Sequence, residues 1–318
     1  MTGYILRRLG QSIIVVLGVT AITFLLLHLL PGNIARTIIG PRATPQQISA
    51  FDQAHGLNRS LWDQFWTYVD GVLHGNFGYS FQQDRPVVTV IGQDLPKDVL
   101  LVGAATIIAL FIAVPIGLLQ ARHRGTLVDH LGTAVSFTLY STPSYLLGLL
   151  LVALVSIQFR LLPAEAPQGT SVSQILSHPS GLVLPLATLA LVTYALFSRY
   201  MRSSAIEELT QDYFRTAKAK GLSDRQILLR HVLRNALIPI VTLLGLALPA
   251  ILTAGLVVEQ VFNFPGLGLA YFSAATTDDY PVLLGITLII GFTTVAGNLI
   301  ADVLYAVLDP RIRYAHES

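Results

Sequence analysis

The sequence has no cysteine and few charged residues among its 318 positions. The lack of cysteine excludes a disulfide framework, a thiolate metal site and a cysteine nucleophile. Charged residues account for 12% of the chain, about half of the roughly 25% that soluble domains carry. Hydrophobic residues account for 53%, and the mean hydropathy is +0.63. This composition predicts an integral membrane protein.

The common catalytic signatures are also missing from the sequence. It contains no G-x-x-x-x-G-K-[ST] phosphate loop, so we do not expect the chain to hydrolyse ATP by itself. It has no H-E-x-x-H motif, its eight histidines show no metal-ligand spacing, and no G-x-S-x-G nucleophile elbow is present. These absences predict a chain with no catalytic residue, no bound cofactor and no metal site.

Long apolar runs are abundant, and six of them are long enough to cross a bilayer. They cover about 9–30, 99–121, 132–158, 181–200, 237–258 and 283–307. The first exceeds the roughly 7–15 apolar residues of a signal peptide, which predicts an uncleaved first span. Fourteen Lys and Arg residues fall on one side of these spans and six on the other, which places both termini in the cytoplasm. The predicted fold is therefore an all-α, six-span membrane domain over 1–318.

The segment 31–98 is a partly helical extracytoplasmic insertion in this interpretation. Thr44 and Gln47 form a predicted capping box, and a second helix is predicted from Ser60 to near Gly75, with Gly56 ending the first. Two tryptophans in the second helix favour a position at the membrane boundary. This helix either lies on the bilayer or packs on the spans, and it can also help to receive a partner or a substrate.

Two features lie within the predicted spans. Small residues recur every fourth position of the second span, which predicts close helix packing; they are Ala105, Ala109, Ala113, Gly117 and Ala121. Hydroxyl groups cluster in the third span, where they bond either to the backbone and a neighbouring helix or form a polar wall along a translocation path. The candidate path residues lie in three spans. They are Ser141, Thr142 and Tyr145 of the third span, Tyr194 of the fourth and Asn298 of the sixth.

The loop 201–236 is a basic segment, predicted to be helical, that lies between two long apolar segments. Gly221 predicts the end of one helix, and Ser223 with Gln226 predicts a capping box for the next. From Arg199 to Arg234 there are eight basic and four acidic residues, a net charge of +4. The positive-inside bias explains this charge but does not explain two capped helices with apolar positions. Tethering between two spans disfavours nucleic-acid binding, so we expect a docking surface for a cytoplasmic protein.

This loop resembles the EAA loop of ATP-binding-cassette importer permeases, and more narrowly that of the dipeptide/oligopeptide/nickel family. The E-A-A triplet reads Arg215-Thr216-Ala217, the loop glycine is Gly221, and the closing pair is Ile238-Pro239. Other stretches resemble the same family in order and spacing, and the match is to the first of its two permeases. They are LLPGN at 29–33, HGLNRSLWDQFWTYVDGVLHGNFGYS at 55–80, VFNFPGLG at 261–268, DYPVLLG at 279–285 and LDPRIRY at 308–314.

The resemblance implies a subunit of a bacterial cytoplasmic-membrane complex. Its partners would be a second permease in a pseudo-symmetric heterodimer, two ATPase subunits that hold ATP and Mg, and an extracytoplasmic solute-binding protein. The helix from Ala217 to Ile227 would lie in a groove of one ATPase. Gly221 would permit the turn, three basic residues would supply charge, and Ala217 would allow close approach. The coupling residues implied are Arg215, Thr216, Ala217, Lys218, Lys220, Gly221, Leu222 and Ile227.

Several functions stay open at this point. Peptides are the solute that the resemblance favours, and nickel or another small solute is the alternative within the family. From other classes, an ion-coupled secondary transporter would need an ionisable residue at the centre of a span, and none stands out. An intramembrane enzyme is disfavoured because the catalytic motifs are missing. The sequence leaves open the gating residues, the conformational state and whether the two ATPases are identical.

Overall fold

A computed structural model describes the backbone of residues 2–29, 39–40 and 42–308, and the side chains of 10–29, 39–40, 42–245 and 255–299. The predicted end of the first span at Leu30, the first part of the insertion at 31–38 and most of the LLPGN and LDPRIRY stretches lie outside the described residues.

Helices make up most of the described chain, and the expectation of an all-α membrane protein is confirmed. Five helices are long and apolar enough to cross a membrane, and a bent pair of helices brings the number to six. The five cover Gly10–Leu29, Val87–Arg122, Pro179–Leu209, Asp224–Gly245 and Tyr280–Leu299. The only strands among the described residues are the short β1 (Tyr79–Ser80) and β2 (Arg85–Pro86), which pair antiparallel.

The chain forms two compact units. The first comprises Met1–Pro96 and Pro265–Val295, and the second comprises Lys97–Phe264 and Ala296–Ser318. In chain order the helices are α1 (Thr2–Leu29), α2 (Pro45–Ala54), α3 (Leu61–Leu73), α4 (Val87–Arg122), α5 (Leu127–Ser141), α6 (Ser144–Leu151), α7 (Val172–Leu176), α8 (Val183–Leu209), α9 (Asp212–Ala219), α10 (Asp224–Ile227), α11 (Leu233–Phe262), α12 (Leu267–Thr276) and α13 (Tyr280–Leu308).

Local sequence signals set helices α2 and α3 of the insertion, which belong to the first unit. The predicted capping box is present, because Thr44 and Gln47 exchange hydrogen bonds at the start of α2. The chain leaves α2 through Gly56 at a φ of +68°, a conformation that glycine adopts without strain. The hydroxyl of Ser60 accepts a hydrogen bond from the amide of Asp63 and caps α3. These three sequence predictions are therefore confirmed.

A small apolar core holds the first unit together. The start of α4 packs there against α12 and the start of α13, and its buried members are Val87, Ile91, Leu267, Ala274, Tyr280, Val282, Leu283 and Ile286. Beside it, the hydroxyl of Ser80 in β1 donates a hydrogen bond to Oδ2 of Asp279, just before α13. The DYPVLLG stretch thus begins with a residue that ties the hairpin to the last long helix.

The larger core lies in the second unit and confirms the predicted small-residue stripe of α4. Four of its alanines are at most 3% exposed. A Cβ placed on Gly117 would lie 2.8 Å from the backbone oxygen of Ser198 and 2.8 Å from Cβ of Met201. Helices α4 and α8 therefore approach closely because glycine leaves that space free.

The predicted third span, 132–158, is not a straight helix. Helices α5 and α6 meet at an angle of 105°, with Thr142 and Pro143 at the break. Pro143 has no N–H to continue the helix, and its ring disfavours helical geometry at Thr142, which adopts a φ of −85° and a ψ of 123°. After the bend, α6 continues as a π-helical segment, Val152–Gln158.

Candidate functional site

The loop 201–236 begins as a continuation of α8, which extends to Leu209. Helix α9 follows and ends in a Schellman motif. The amide of Leu222 donates to the carbonyl of Ala217 over 3.3 Å, and the amide of Gly221 donates to the carbonyl of Lys218 over 3.0 Å. Gly221 has the positive φ, +80°, that this motif needs. The predicted turn at Gly221 is confirmed.

The second helix of the loop also begins as predicted. Ser223 and Gln226 form the capping box, with the Ser223 amide 3.0 Å from Oε1 of Gln226. Helix α10 then continues through a π-helical segment, Leu228–Val232, directly into α11. The backbone is therefore helical without a break from Asp224 to Phe262.

The inner face of the loop is anchored to the larger core. Ala217 is 8% exposed and Ile227 is fully buried, and Phe214 and Leu222 pack against the same cluster. Ala217 therefore provides space for this chain's own core, and Ile227 holds the second helix in place. Neither side chain is therefore on the exposed surface of the loop.

The outer face of the loop is basic and exposed. Arg215, Thr216, Lys218 and Lys220 are exposed, as is Gly221. Nζ of Lys218 lies 3.3 Å from Oδ1 of Asp224, and both side chains are more than half exposed. An ion pair this exposed adds little stability. Beside this pair, Arg215 and Lys220 add further positive charge to the outer face.

A polar junction connects the loop to the two helices that flank it. The hydroxyl of Tyr213 in α9 donates a 2.7 Å hydrogen bond to Oε2 of Glu208 in α8. The same oxygen accepts a 3.2 Å hydrogen bond from Nδ2 of Asn235 in α11. Burial and then the Glu208 carboxylate raise the pKa of Tyr213 to about 12, so its hydroxyl stays protonated and donates at neutral pH.

The sequence prediction missed this junction. Asn235 lies 27 positions from Glu208, and no periodic pattern links the three residues. The only available signal was that a polar residue at the buried end of a helix needs a partner.

A second polar contact ties α5 to α8. Nε of Arg202 donates to Oδ1 of Asp129 over 2.5 Å, and a terminal nitrogen of Arg202 donates to Oδ2 over 2.8 Å. The amide of Gly125 also donates to Oδ2 of Asp129, over 3.0 Å. The Asp129 side chain is 3% exposed. Bidentate pairing of this kind fixes orientation as well as distance, and the sequence prediction missed it too.

The candidate path residues are not all brought to one surface. Tyr194 is 6% exposed and belongs to the larger core, whereas Ser141, Tyr145 and Asn298 are exposed. The Thr142 hydroxyl donates to the Thr138 carbonyl over 2.8 Å, a bond to the backbone one helical turn earlier. Within the same hydroxyl-rich span, Ser136 bonds to Ser198 of α8 over 2.9 Å. Thr142 therefore bonds to the backbone of its own helix, and Ser136 bonds to a neighbouring helix.

In the part of the chain that the structure describes, no group of three or more His, Asp or Glu side chains could hold a metal ion. Glu259, near the end of α11, is buried, and its carbonyl accepts a 2.9 Å hydrogen bond from the amide of Phe264.

Comparison with known proteins identifies two matching family profiles. Residues 113–314 match the binding-protein-dependent transport system inner membrane component, and residues 1–102 match the N-terminal part of such a membrane component. The chain is 36% identical to the oligopeptide transport system permease protein AppB of Bacillus subtilis, over 99% of this chain and 100% of the relative. It is 38% identical to the glutathione transport system permease protein GsiC of Salmonella typhimurium and 35% identical to GsiC of Escherichia coli K12. Each match covers 99% of this chain and 100% of the relative.

Proposed function

Because this chain belongs to the family of binding-protein-dependent transport system inner membrane components, we propose that it is the permease subunit of an ATP-binding-cassette importer for peptides. It is a multi-pass membrane protein and a transport component. The names of the relatives above refer to oligopeptides and to glutathione, which is itself a tripeptide. Their similarity over the full chain supports peptides as the solute class.

The loop 201–236 faces the cytoplasm in this proposal, as the distribution of Lys and Arg favours. Its basic outer face, with Arg215, Lys218 and Lys220, contacts an acidic groove of one partner ATPase. ATP and Mg bind to the two ATPases, and this chain takes no part in hydrolysis. A second permease completes the translocation path, and a solute-binding protein delivers the peptide to the opposite side of the membrane.

The observation that carries the proposal is the two-sided construction of the loop. Its inner face packs into the larger core through the buried Ala217 and Ile227, while its outer face is exposed and charged. A surface that only satisfied the positive-inside bias would not need a Schellman motif, a capping box and a buried apolar anchor. A rigid, charged surface suits the transfer of movement from one protein to another.

The polar junction gives that movement a route into the spans. Movement of α9 displaces the Tyr213 hydroxyl, and the hydrogen bonds of Glu208 pass the displacement to α8 and α11. The ATP-bound and nucleotide-free ATPases need only differ in their affinity for two positions of the loop, and the permease then shifts between its two states.

Reconstitution in proteoliposomes tests the proposal. Uptake of a radiolabelled tripeptide should require the ATPases, the solute-binding protein and ATP. The triple charge reversal of Arg215, Lys218 and Lys220 to Glu should abolish uptake and release the ATPases from the purified complex. The triple substitution by Gln keeps the size but removes the charge, and it should have an intermediate effect. Peptide uptake by this chain alone, driven by an ion gradient, would overturn the importer proposal.

A further inference from the structure

The first unit contains a cavity of about 770 Å³ that no part of the transport mechanism above uses. It is bounded by the last turn of α1, by α2 and α3, by the hairpin, and by residues 278–284. Its volume is within the roughly 300–1,000 Å³ that small-molecule sites occupy. Since it adjoins the last turn of the first span and the start of the last one, it lies near one membrane–water boundary.

Aromatic rings form one wall of the cavity. The rings of Phe51 and His55 are stacked with centroids 4.0 Å apart, and Phe81 meets both of them edge-on at 5.6 and 5.3 Å. Tyr79 extends the row at 5.4 Å from Phe81. The negative faces of such rings attract cations, ammonium groups above all.

Two histidines of the lining are held in one tautomer. Nδ1 of His28 lies 2.8 Å from the carbonyl oxygen of Phe24, and Nδ1 of His55 lies 3.0 Å from that of Phe51. A carbonyl only accepts, so Nδ1 carries the proton in each ring. In the neutral form Nε2 is then left with a lone pair, which can accept a hydrogen bond from a ligand N–H.

The formal charges of the lining are also suited to a cation. Asp278 and Asp279 contribute two carboxylates, and Arg59 is the one Lys or Arg among the lining residues that the structure describes. Arg59 is exposed at the rim, where its side chain lies beside Gly56. The cavity therefore combines aromatic faces, nitrogen acceptors and an excess of negative charge.

We propose that this cavity binds a primary ammonium group that carries an apolar or aromatic substituent. In the importer proposed above, on which this assignment of a ligand source rests, that group is the amino-terminal end of the peptide. The cavity then holds the peptide at the outer boundary before it enters the path. An aminophospholipid of the surrounding bilayer has the same chemistry and is the other source to be tested.

The direct test uses 2-phenylethylamine as the probe and 2-phenylethanol as its uncharged analogue. The full chain, in the complex with which it purifies, is placed in nanodiscs of phosphatidylcholine and phosphatidylglycerol, and binding is measured by calorimetry. The amine should bind at least about tenfold more tightly than the alcohol, as loss of the charge removes cation–π and hydrogen-bond attraction. Equal binding of the two compounds would overturn the proposal.

Variants locate the site. His55→Phe keeps the stack on Phe51 but removes the nitrogen acceptor, and it should weaken binding of the amine about fivefold. His74→Ala is the matched control, because Nδ1 of His74 makes the same bond to the carbonyl of Asp70 over 2.8 Å, outside the cavity. An unchanged affinity in His55→Phe, or an equal loss in His74→Ala, would place the amine elsewhere and refute the assignment.

Two further arms separate the ligand sources. Phenylalanyl-alanine should compete with the amine, and its N-acetylated form should not. Phosphatidylethanolamine added to the nanodiscs should leave the affinity for the dipeptide unchanged. Loss of dipeptide binding in the presence of this lipid would overturn the peptide assignment. Uptake that still requires ATP and the partner subunits, with no amine binding, would reject this cavity site and leave the proposed function standing.

Discussion

The hydroxyl of Tyr213 donates a hydrogen bond of 2.7 Å to Oε2 of Glu208, and this bond joins the first helix of the 201–236 loop to the end of α8. Asn235 bonds to the same oxygen from α11. Three helices thus meet at one acceptor, at the place where the proposed mechanism has the movement of an ATPase reach the membrane domain.

Tyr213→Phe removes only the hydroxyl of that junction. We expect a loss of about 1 kcal/mol in the contact between α9 and α8. Hydrogen bonds to charged groups contribute roughly 1.5–3 kcal/mol when buried, and both side chains here are partly exposed. In proteoliposomes the number of ATP molecules hydrolysed per peptide taken up should rise while the complex stays assembled. Tyr200→Phe, on the half-exposed side of α8, should leave this ratio unchanged. If wild type and Tyr213→Phe hydrolysed the same number of ATP molecules per peptide, the Tyr213–Glu208 bond would have no part in coupling.

The pair of Asp129 and Arg202 should make a large contribution to stability. Asp129→Ala leaves Arg202 without its bidentate partner and should reduce the free energy of unfolding by about 2–3 kcal/mol. This is less than the roughly 3–5 kcal/mol for breaking a fully buried pair, because Arg202 is partly exposed. Thermal unfolding of the detergent-solubilised complex measures the effect. Lys218→Ala breaks the exposed pair with Asp224 and should change stability by no more than about 0.5 kcal/mol. Similar losses in both variants would contradict this ranking.

Gly221 can be tested separately from its surroundings. A Cβ there would meet nothing within 4 Å, so only its φ of +80° opposes a side chain. Gly221→Val should strain the turn by about 1–2 kcal/mol and uncouple ATP hydrolysis from uptake, without preventing insertion into the membrane. Gly221→Asn tolerates the left-handed conformation and should keep most of the uptake. Normal uptake in Gly221→Val would show that the shape of the turn is unimportant.

Gly117 provides the opposite case, because its backbone is unstrained and its space is occupied. Gly117→Ala places a methyl group 2.8 Å from the Ser198 carbonyl oxygen, which should push α4 and α8 apart and cost about 1–3 kcal/mol. Gly103→Ala lies in the same helix with nothing within 4 Å and is the matched control. Thermal unfolding of both variants measures the difference, and equal melting temperatures would show that the helices can separate without cost.

Asp279 should give the first unit a pH dependence. Burial raises the pKa of this carboxyl from its ordinary value of 3.8, and the Ser80 hydroxyl and the Val282 amide oppose the rise. The folded state therefore holds the proton at a pH at which the unfolded chain has lost it. Stability should fall as pH rises from 3.8 through the raised pKa.

Asp279→Asn keeps an oxygen for Ser80 and removes the ionisation. The melting temperature of wild type minus that of Asp279→Asn should decline as pH rises above 3.8 and through the raised pKa. Ser80→Ala removes a donor that favours the ionised form, so the decline should extend to higher pH in that variant. A difference that stays constant with pH would contradict the raised pKa.

Local signals in the sequence were sufficient for much of the candidate site. The Ser223 capping box and the Gly221 turn depend on residues within six positions of one another, and the small-residue stripe of α4 follows directly from helical periodicity. The break at Pro143 has a local cause in the missing N–H of proline, but its angle of 105° does not follow from the sequence. That angle depends on the helices that pack on both sides of the break.

By itself the sequence determined that this chain is a helical membrane protein with a capped, basic loop, because hydropathy, helix caps and left-handed glycine are properties of neighbouring residues. Only the tertiary structure decided that Glu208 of α8 accepts hydrogen bonds from α9 and α11, and that Arg202 forms a bidentate pair with Asp129. It also decided that Ala217 and Ile227 are buried, and where aromatic side chains surround a cavity. Each of these depends on residues distant in sequence being brought within a few ångströms, and only packing determines which residues meet.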